Sequence, residues 1–80
     1  MELTLFSAAW CTYCQPVKKL IEENNLPVRI VDIDEDFEEA QKAGVRGIPV
    51  IRLEDGTMMR ESRDIINMLK GLLFKNLVQI

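Results

Sequence analysis

The 80-residue chain has no histidine and only two cysteines, Cys11 and Cys14, so the side chains that hold most protein-bound zinc are nearly missing. A zinc site wants four ligands. Carboxylates or a second chain would have to supply the remainder, and no bound metal is expected. Two cysteines also fall short of a small secreted scaffold, which normally carries four or more closing long loops. An excess of basic residues is lacking as well, with 10 Lys+Arg against 13 Asp+Glu and a net charge of −3. Nucleic-acid binders need clustered cations to displace counterions, so no nucleic-acid partner is expected. No apolar run approaches the roughly 20 residues of a membrane span. Met1 leads straight into Glu2-Leu3-Thr4-Leu5-Phe6, without a basic segment and long apolar core. No membrane partner is expected, and a cytoplasmic location is the default expectation. Hydrophobic content of 48% with 29% charged residues suits a folded globular chain and argues against disorder. A single domain over residues 1–80 is the expectation.

What is present reads as alternating strands and helices. Leu3–Phe6 is a short apolar strand, followed by Ser7-Ala8-Ala9 as a loop into Trp10-Cys11-Thr12-Tyr13-Cys14. From about Thr12 to Asn24, Val17, Leu20 and Ile21 share one helical face. Thr12 with Gln15 fits a capping box, and Asn24-Asn25 ends the helix. Residues 28–33 are β-rich, and Ile30-Val31 in succession predicts a strand covered on both faces. Asp34-Glu35-Asp36 opens a second helix through about Ala43, its acids at the positive end of the dipole, with Gly44 as the stop. Residues 49–53 form a third strand and 58–60 a fourth. A two-residue Asp55-Gly56 turn between them sets Leu53 opposite Met58, both facing a core. Ser62 caps a last helix that buries Ile65, Leu69, Leu72 or Leu73, and Leu77. The apolar end, Leu72 to Ile80, is read as packing of that helix. A partner surface is the alternative, and Gly71 is an alternative end.

The resulting order is β-α-β-α-β-β-α. Its first two strands are parallel through a right-handed crossover and its last two form an antiparallel hairpin. The fold class is therefore α/β, a four-stranded mixed sheet flanked by three helices.

The cysteine pair stands where the first strand gives way to the first helix. A disulfide across two intervening residues removes little loop entropy, so this pair is a poor structural staple. At a helix start, unpaired backbone N–H groups and the positive dipole end stabilise a thiolate and lower its pKa. Cys14 lies about one turn further on and can reach back to Cys11. An inert buried pair and half of a zinc site remain the alternatives at this point. The acids Asp32, Asp34, Glu35, Asp36, Glu38 and Glu39 lack calcium-loop spacing and read as a solvated helix start.

Trp10-Cys11-Thr12-Tyr13-Cys14 after a short strand, with Gly47-Ile48-Pro49 before a later one, resembles the thioredoxin/glutaredoxin superfamily. The resemblance implies a minimal thioredoxin fold, a redox-active Cys11–Cys14 disulfide and no tightly bound cofactor. It also implies a cis Ile48–Pro49 bond whose backbone receives an extended substrate. Trp10, Thr12, Tyr13, Arg46, Gly47, Ile48 and Pro49 are then the substrate-binding residues. Arg46 steers an acidic partner or a glutathione carboxylate, or is an ordinary surface arginine.

Trp10 and Val45-Arg46-Gly47-Ile48-Pro49 look like thioredoxins, whereas the short chain and Tyr13 look like glutaredoxins. The glycine pair with which glutaredoxins hold glutathione is replaced by Arg60-Glu61-Ser62-Arg63-Asp64, so glutathione is not favoured. Thioredoxins usually bury an acid in the strand before the motif, and Leu3-Thr4-Leu5-Phe6 offers none. The implied activity is reduction of protein disulfides, with ribonucleotide reductase as one candidate partner. Electrons come from a flavin-dependent thioredoxin-type reductase, and a monomer is expected. A glutathione-dependent glutaredoxin and a non-catalytic binding module of the same fold are the alternatives.

Overall fold

A computed structural model describes residues 3–78 of the chain, with side chains through Phe74. Its elements run β1 (Leu3–Ser7), α1 (Gln15–Glu23), β2 (Val28–Asp32), α2 (Phe37–Lys42), β3 (Val50–Arg52), β4 (Met58–Met59) and α3 (Ser62–Val78). The four strands form one sheet in the order β2-β1-β3-β4. β1 is parallel to β2 and antiparallel to β3, and β3 is antiparallel to β4. This is the expected mixed sheet.

Every residue of β1 is buried, because an interior strand has helices above and below it. Strand alternation sends Leu3 and Leu5 to one face, where they pack with Ile51 and with Val17, Ile21, Ile65 and Leu69 of α1 and α3. Phe6 points to the other face, with Val31, Val50 and Ala40 of α2. Ile30 joins the first cluster and Val31 the second, as a strand covered on both faces requires. Arg29 of β2 pairs with Glu39 of α2, and the Arg52 guanidinium lies 5.5 Å from the Phe6 ring centroid.

Thr4 shares the Phe6 side by alternation, and its Oγ1 is the one buried side-chain polar atom without a hydrogen-bond partner among the described residues. A buried hydroxyl lacking a partner costs about 1–3 kcal/mol. Thr4→Val keeps the shape and removes that group. It is expected to raise stability by about 1 kcal/mol, or about 4–8 °C in Tm for a domain of this size. Thermal denaturation checks it, and a lower Tm counts against the orphaned hydroxyl.

Several boundaries differ from the sequence expectations, each for a local reason. α1 starts at Gln15 rather than Thr12 and makes no capping box; its N-cap residue is Cys14. Pro16 has no N–H to give the Thr12 carbonyl, so the helical ladder begins with Lys18 N–H donating to Cys14 O at 2.9 Å. The Gln15 amide instead reaches Ala9 O. Asn25 then leaves the helix at φ 49°, in the left-handed region that asparagine tolerates.

α2 starts at Phe37, not Asp34. The Asp32 carboxylate accepts the Asp34 N–H at 2.8 Å, and its carbonyl accepts those of Glu35 and Asp36. Such side-chain-to-backbone bonds compete with helix, leaving Glu38 and Glu39 as the acids of the first turn. Gly44 stops the segment at φ 75°.

The hairpin corrects the expected register. Arg52 pairs with Met58 and Ile51 with Met59, while Leu53 N–H donates to Thr57 O at 2.8 Å. The loop therefore holds three residues, with Gly56 at φ 91°, the arrangement of a type I turn followed by a left-handed glycine. One added loop residue reverses the faces. Leu53 and Met59 join the α1/α3 side, whereas Met58 joins Phe6 on the α2 side.

Asp55 Oδ1 accepts the Thr57 N–H at 2.9 Å. Hydrogen bonds from Thr57, side chain first and backbone second, hold the Asp55 carboxyl below the usual carboxylate value. The stabilisation is accordingly present above the unfolded-state pKa and lost as pH falls through the lower folded one. An NMR titration should place the Asp55 midpoint below that of an unstructured aspartate.

The last helix takes Ser62 as its first residue, one position inside the expected cap. Ile65 N–H donates to Glu61 O at 2.9 Å, which makes Glu61 the capping position. α3 runs through Gly71 without a break. Ile65 and Leu69 are buried, Leu72 and Leu73 are half-buried, and Phe74 is exposed. The expected burial of Leu77 lies outside the described side chains, as does the extreme end of the tail.

Candidate functional site

β1 delivers the chain at Ser7 to the edge of the α1 N-terminus. A turn closed by Cys11 N–H donating to Ala8 O at 3.1 Å then sets Cys11 before the helix. Cys11 and Cys14 are joined by a disulfide, with Cα atoms 5.3 Å apart. The Cys14 N–H donates to Cys11 Sγ at 3.2 Å. That amide belongs to the helix cap, where backbone donors have no intrahelical acceptor, so it favours negative charge on the Cys11 sulfur. The two cysteines differ in access, with Cys11 5% exposed and Cys14 fully buried. Attack from outside is therefore possible at Cys11, and Cys14 is confined to reaction with its neighbour.

Ala8, Cys11 and Cys14 form a small cluster packed by Ile33, just beyond β2, and by Ile48. Ile48–Pro49 is a cis peptide bond, with Pro49 buried and Ile48 half-buried. The segment before β3 is thus brought beside a motif that lies more than thirty residues earlier in the chain.

A groove of about 340 Å³ is lined by Trp10, Val45, Arg46, Gly47 and Ile48, and it adjoins the cysteine cluster through Ile48. Trp10 is 67% exposed, and its Nε1 donates to Asp34 Oδ2 at 2.8 Å. Of the residues expected at the site, Trp10, Arg46, Gly47 and Ile48 line this groove. Thr12 and Tyr13 are exposed on the turn between the cysteines but do not line it. A Cβ on Gly47 would meet nothing within 4 Å, so packing within the chain does not require glycine there.

Phe37, 65% exposed at the start of α2, and Ile33 also line the groove, and both were missed by sequence reasoning. So was Asp34, which was absorbed into the acidic run. Phe37 had one legible signal, an aromatic residue on the polar opening of a helix. Trp10, which lines the same groove, lies far off in sequence, so nothing local points to the shared lining. Among the described residues no cluster of His, Cys, Asp and Glu could hold a metal ion, and no helix is long and apolar enough to cross a membrane.

A cysteine pair at a helix start, faced by a cis proline on this sheet order, is the arrangement of the thioredoxin-like superfamily. Within it, the glutaredoxin family model matches residues 3–58, and the chain belongs to that family. Members usually act as thiol–disulfide oxidoreductases. A probable thioredoxin of Archaeoglobus fulgidus is 32% identical, covering 86% of this chain and 89% of the relative. Among solved structures, a glutathione transferase homologue from Sulfitobacter with bound glutathione superposes with a TM-score of 0.72 at 28% identity. The match covers 92% of this chain but spans only 38% of that protein's length. The glutaredoxin-like NrdH-redoxin of Escherichia coli, described as having a thioredoxin-like activity profile, gives a TM-score of 0.59. At 21% identity over 84% of this chain and 93% of that one, it shows a shared fold.

Proposed function

We propose that this redoxin reduces disulfides of protein substrates, in the manner of a thioredoxin. The carrying observation is the groove beside Cys11, whose lining is mainly apolar and holds Arg46 as its one cation among the described residues. Glutathione carries two carboxylates and an ammonium, and a site built for it needs matched charged partners. A protein segment bearing an apolar side chain suits this lining better. The curated relative named as a probable thioredoxin and the thioredoxin-like activity profile of NrdH-redoxin support the same reading.

In the reduced protein, the Cys11 thiolate attacks one sulfur of the target disulfide. A mixed disulfide forms and the other target sulfur leaves as a thiolate. Cys14, deprotonated, then attacks Cys11 Sγ, the mixed disulfide breaks, and the second target thiol is released. The target gains two electrons and two protons, and the chain ends as the Cys11–Cys14 disulfide. A flavin-dependent thioredoxin-type reductase is the proposed source of electrons for the next cycle. Ribonucleotide reductase is one candidate target, and the proposed setting is a cytoplasmic monomer.

Glutathione-dependent turnover is the second reading, favoured by the family match and by the glutathione-bound structural neighbour. Two assays on the same preparation separate them. One follows insulin reduction with NADPH and a thioredoxin-type reductase. The other follows reduction of a small mixed disulfide with glutathione, NADPH and glutathione reductase. Faster turnover in the first supports the proposal, and faster turnover in the second overturns it. Activity in neither leaves a binding module of the same fold.

A further inference from the structure

The α2 face of the sheet carries a polar row across three strands. Thr4 stands in register with Arg29 of β2 on one side and with Arg52 of β3 on the other. Residues in register on neighbouring strands project to the same face. Two arginines therefore flank one threonine, their Cα atoms about 10 Å apart across β1. Thr4 has no exposed surface, and its Oγ1 meets no hydrogen-bond partner. Within the fold that hydroxyl contributes nothing that a valine methyl would not. Local costs of this kind collect at functional sites.

Both arginines are placed to meet negative charge above Thr4. Arg52 reaches from β3 over the ring of Phe6, the next β1 residue on this face, a weak hold where the cation is partly solvated. Arg29 pairs with the Glu39 carboxylate of α2, and the side chains of that pair are 44% and 34% exposed. An ion pair so exposed exchanges readily with another anion. Glu39 thus marks where an anion sits on this row. A carboxylate brings two acceptor oxygens on one charge, whereas a phosphate monoester brings three on nearly two charges, matched to arginine forks.

We propose that Arg29, Thr4 and Arg52 form a binding site for the phosphate group of a ligand. The phosphate displaces Glu39 from Arg29, draws Arg52 from the Phe6 ring, and accepts a hydrogen bond from the Thr4 hydroxyl so uncovered. Ser7, where β1 runs into the cysteine turn, lies about 10 Å further along the strand. The site is therefore separate from Cys11 and its groove, and it holds whichever disulfide the protein reduces.

The test titrates inorganic phosphate into the isotope-labelled protein at about pH 7.5, where the dianion is well populated, with sodium chloride at matched ionic strength as control. NMR shifts of the Thr4, Arg29 and Arg52 amides are expected to saturate with a Kd of about 1 mM. Arg52→Gln weakens binding at least about tenfold. Glu39→Gln removes the internal competitor and tightens it about fivefold. Thr4→Val, expected above to be the more stable protein, weakens it about fivefold, so the loss does not come from unfolding. Phosphoserine and ribose 5-phosphate then distinguish the source. Tighter phosphoserine points to a phosphorylated side chain, and tighter ribose 5-phosphate points to a phosphorylated metabolite. Shifts that chloride reproduces, that spread evenly over exposed cations, or that fail to saturate by about 20 mM overturn the site. Parent affinity in Thr4→Val, or no tightening in Glu39→Gln, overturns it as well.

Discussion

Cys11→Ser is expected to lower insulin-disulfide reduction at least about a thousandfold, because a serine hydroxyl at neutral pH is no substitute for a thiolate attacking sulfur. Cys14→Ser fails differently. Its Cys11 can still attack, but nothing resolves the product, so a one-to-one mixed disulfide with the target accumulates. Non-reducing electrophoresis and intact mass show that adduct, which disappears on adding dithiothreitol. The contrast follows from access, since Cys11 is 5% exposed and Cys14 fully buried. A trapped adduct with Cys11→Ser in place of Cys14→Ser would reverse the assignment of attacking and resolving sulfurs.

Phe6→Ala is expected to be the most damaging packing change. Its ring is fully buried where β1 meets the α2 layer, with Val31, Ala40 and Val50 around it and Val45 and Ile48 against the same cluster. Removing a buried phenylalanine ring costs about 3–5 kcal/mol, against a total of about 5–15 kcal/mol for a typical domain. Arg52 also loses the ring its guanidinium faces. Urea denaturation should show the midpoint falling by about a fifth or more of its parent value, the low end of that ratio. Because Ile48 packs on this cluster and on the cysteines, near-native conditions should also reveal weaker substrate binding. Phe6→Leu keeps most of the buried volume and should cost about 1 kcal/mol. Equal losses for the two would mean that the aromatic character, not the filled space, carries the effect.

The element order and the pairing of Cys11 with Cys14 were legible in the sequence because their causes are local. Ile30-Val31 announced a strand covered on both sides, and each residue lies in a different core cluster. Gly44 and Asn25 sit where the backbone turns to positive φ. C-x-x-C where a strand meets a helix favours a thiolate through its spacing and the helix end, and the lack of further ligands together with Gly47-Ile48-Pro49 turned that preference into a redox reading.

Other features depended on competition that a linear pattern does not weigh. The capping box at Thr12 and Gln15 had the right residues, yet Pro16 removed the donor that would have started the helix there. The hairpin offered Asp55-Gly56 for a two-residue turn, but Thr57 hydrogen bonds to Asp55 and Leu53 favoured three residues. Met58 consequently faces Phe6 instead of joining Leu53.

By itself, then, the sequence determined the α/β order, the two-faced sheet and the Cys11–Cys14 pair. Each rests on side-chain periodicity or on spacing within one helical turn. Only the tertiary structure decided what surrounds that pair. β2, the turn after it and the loop before β3 converge on Cys11, bringing Asp34 to Trp10, Phe37 to the groove and Ile48 to the cysteines. Those contacts join residues 24 or more positions apart along the chain. Their geometry comes from the sheet order and from packing, which no local window of sequence contains.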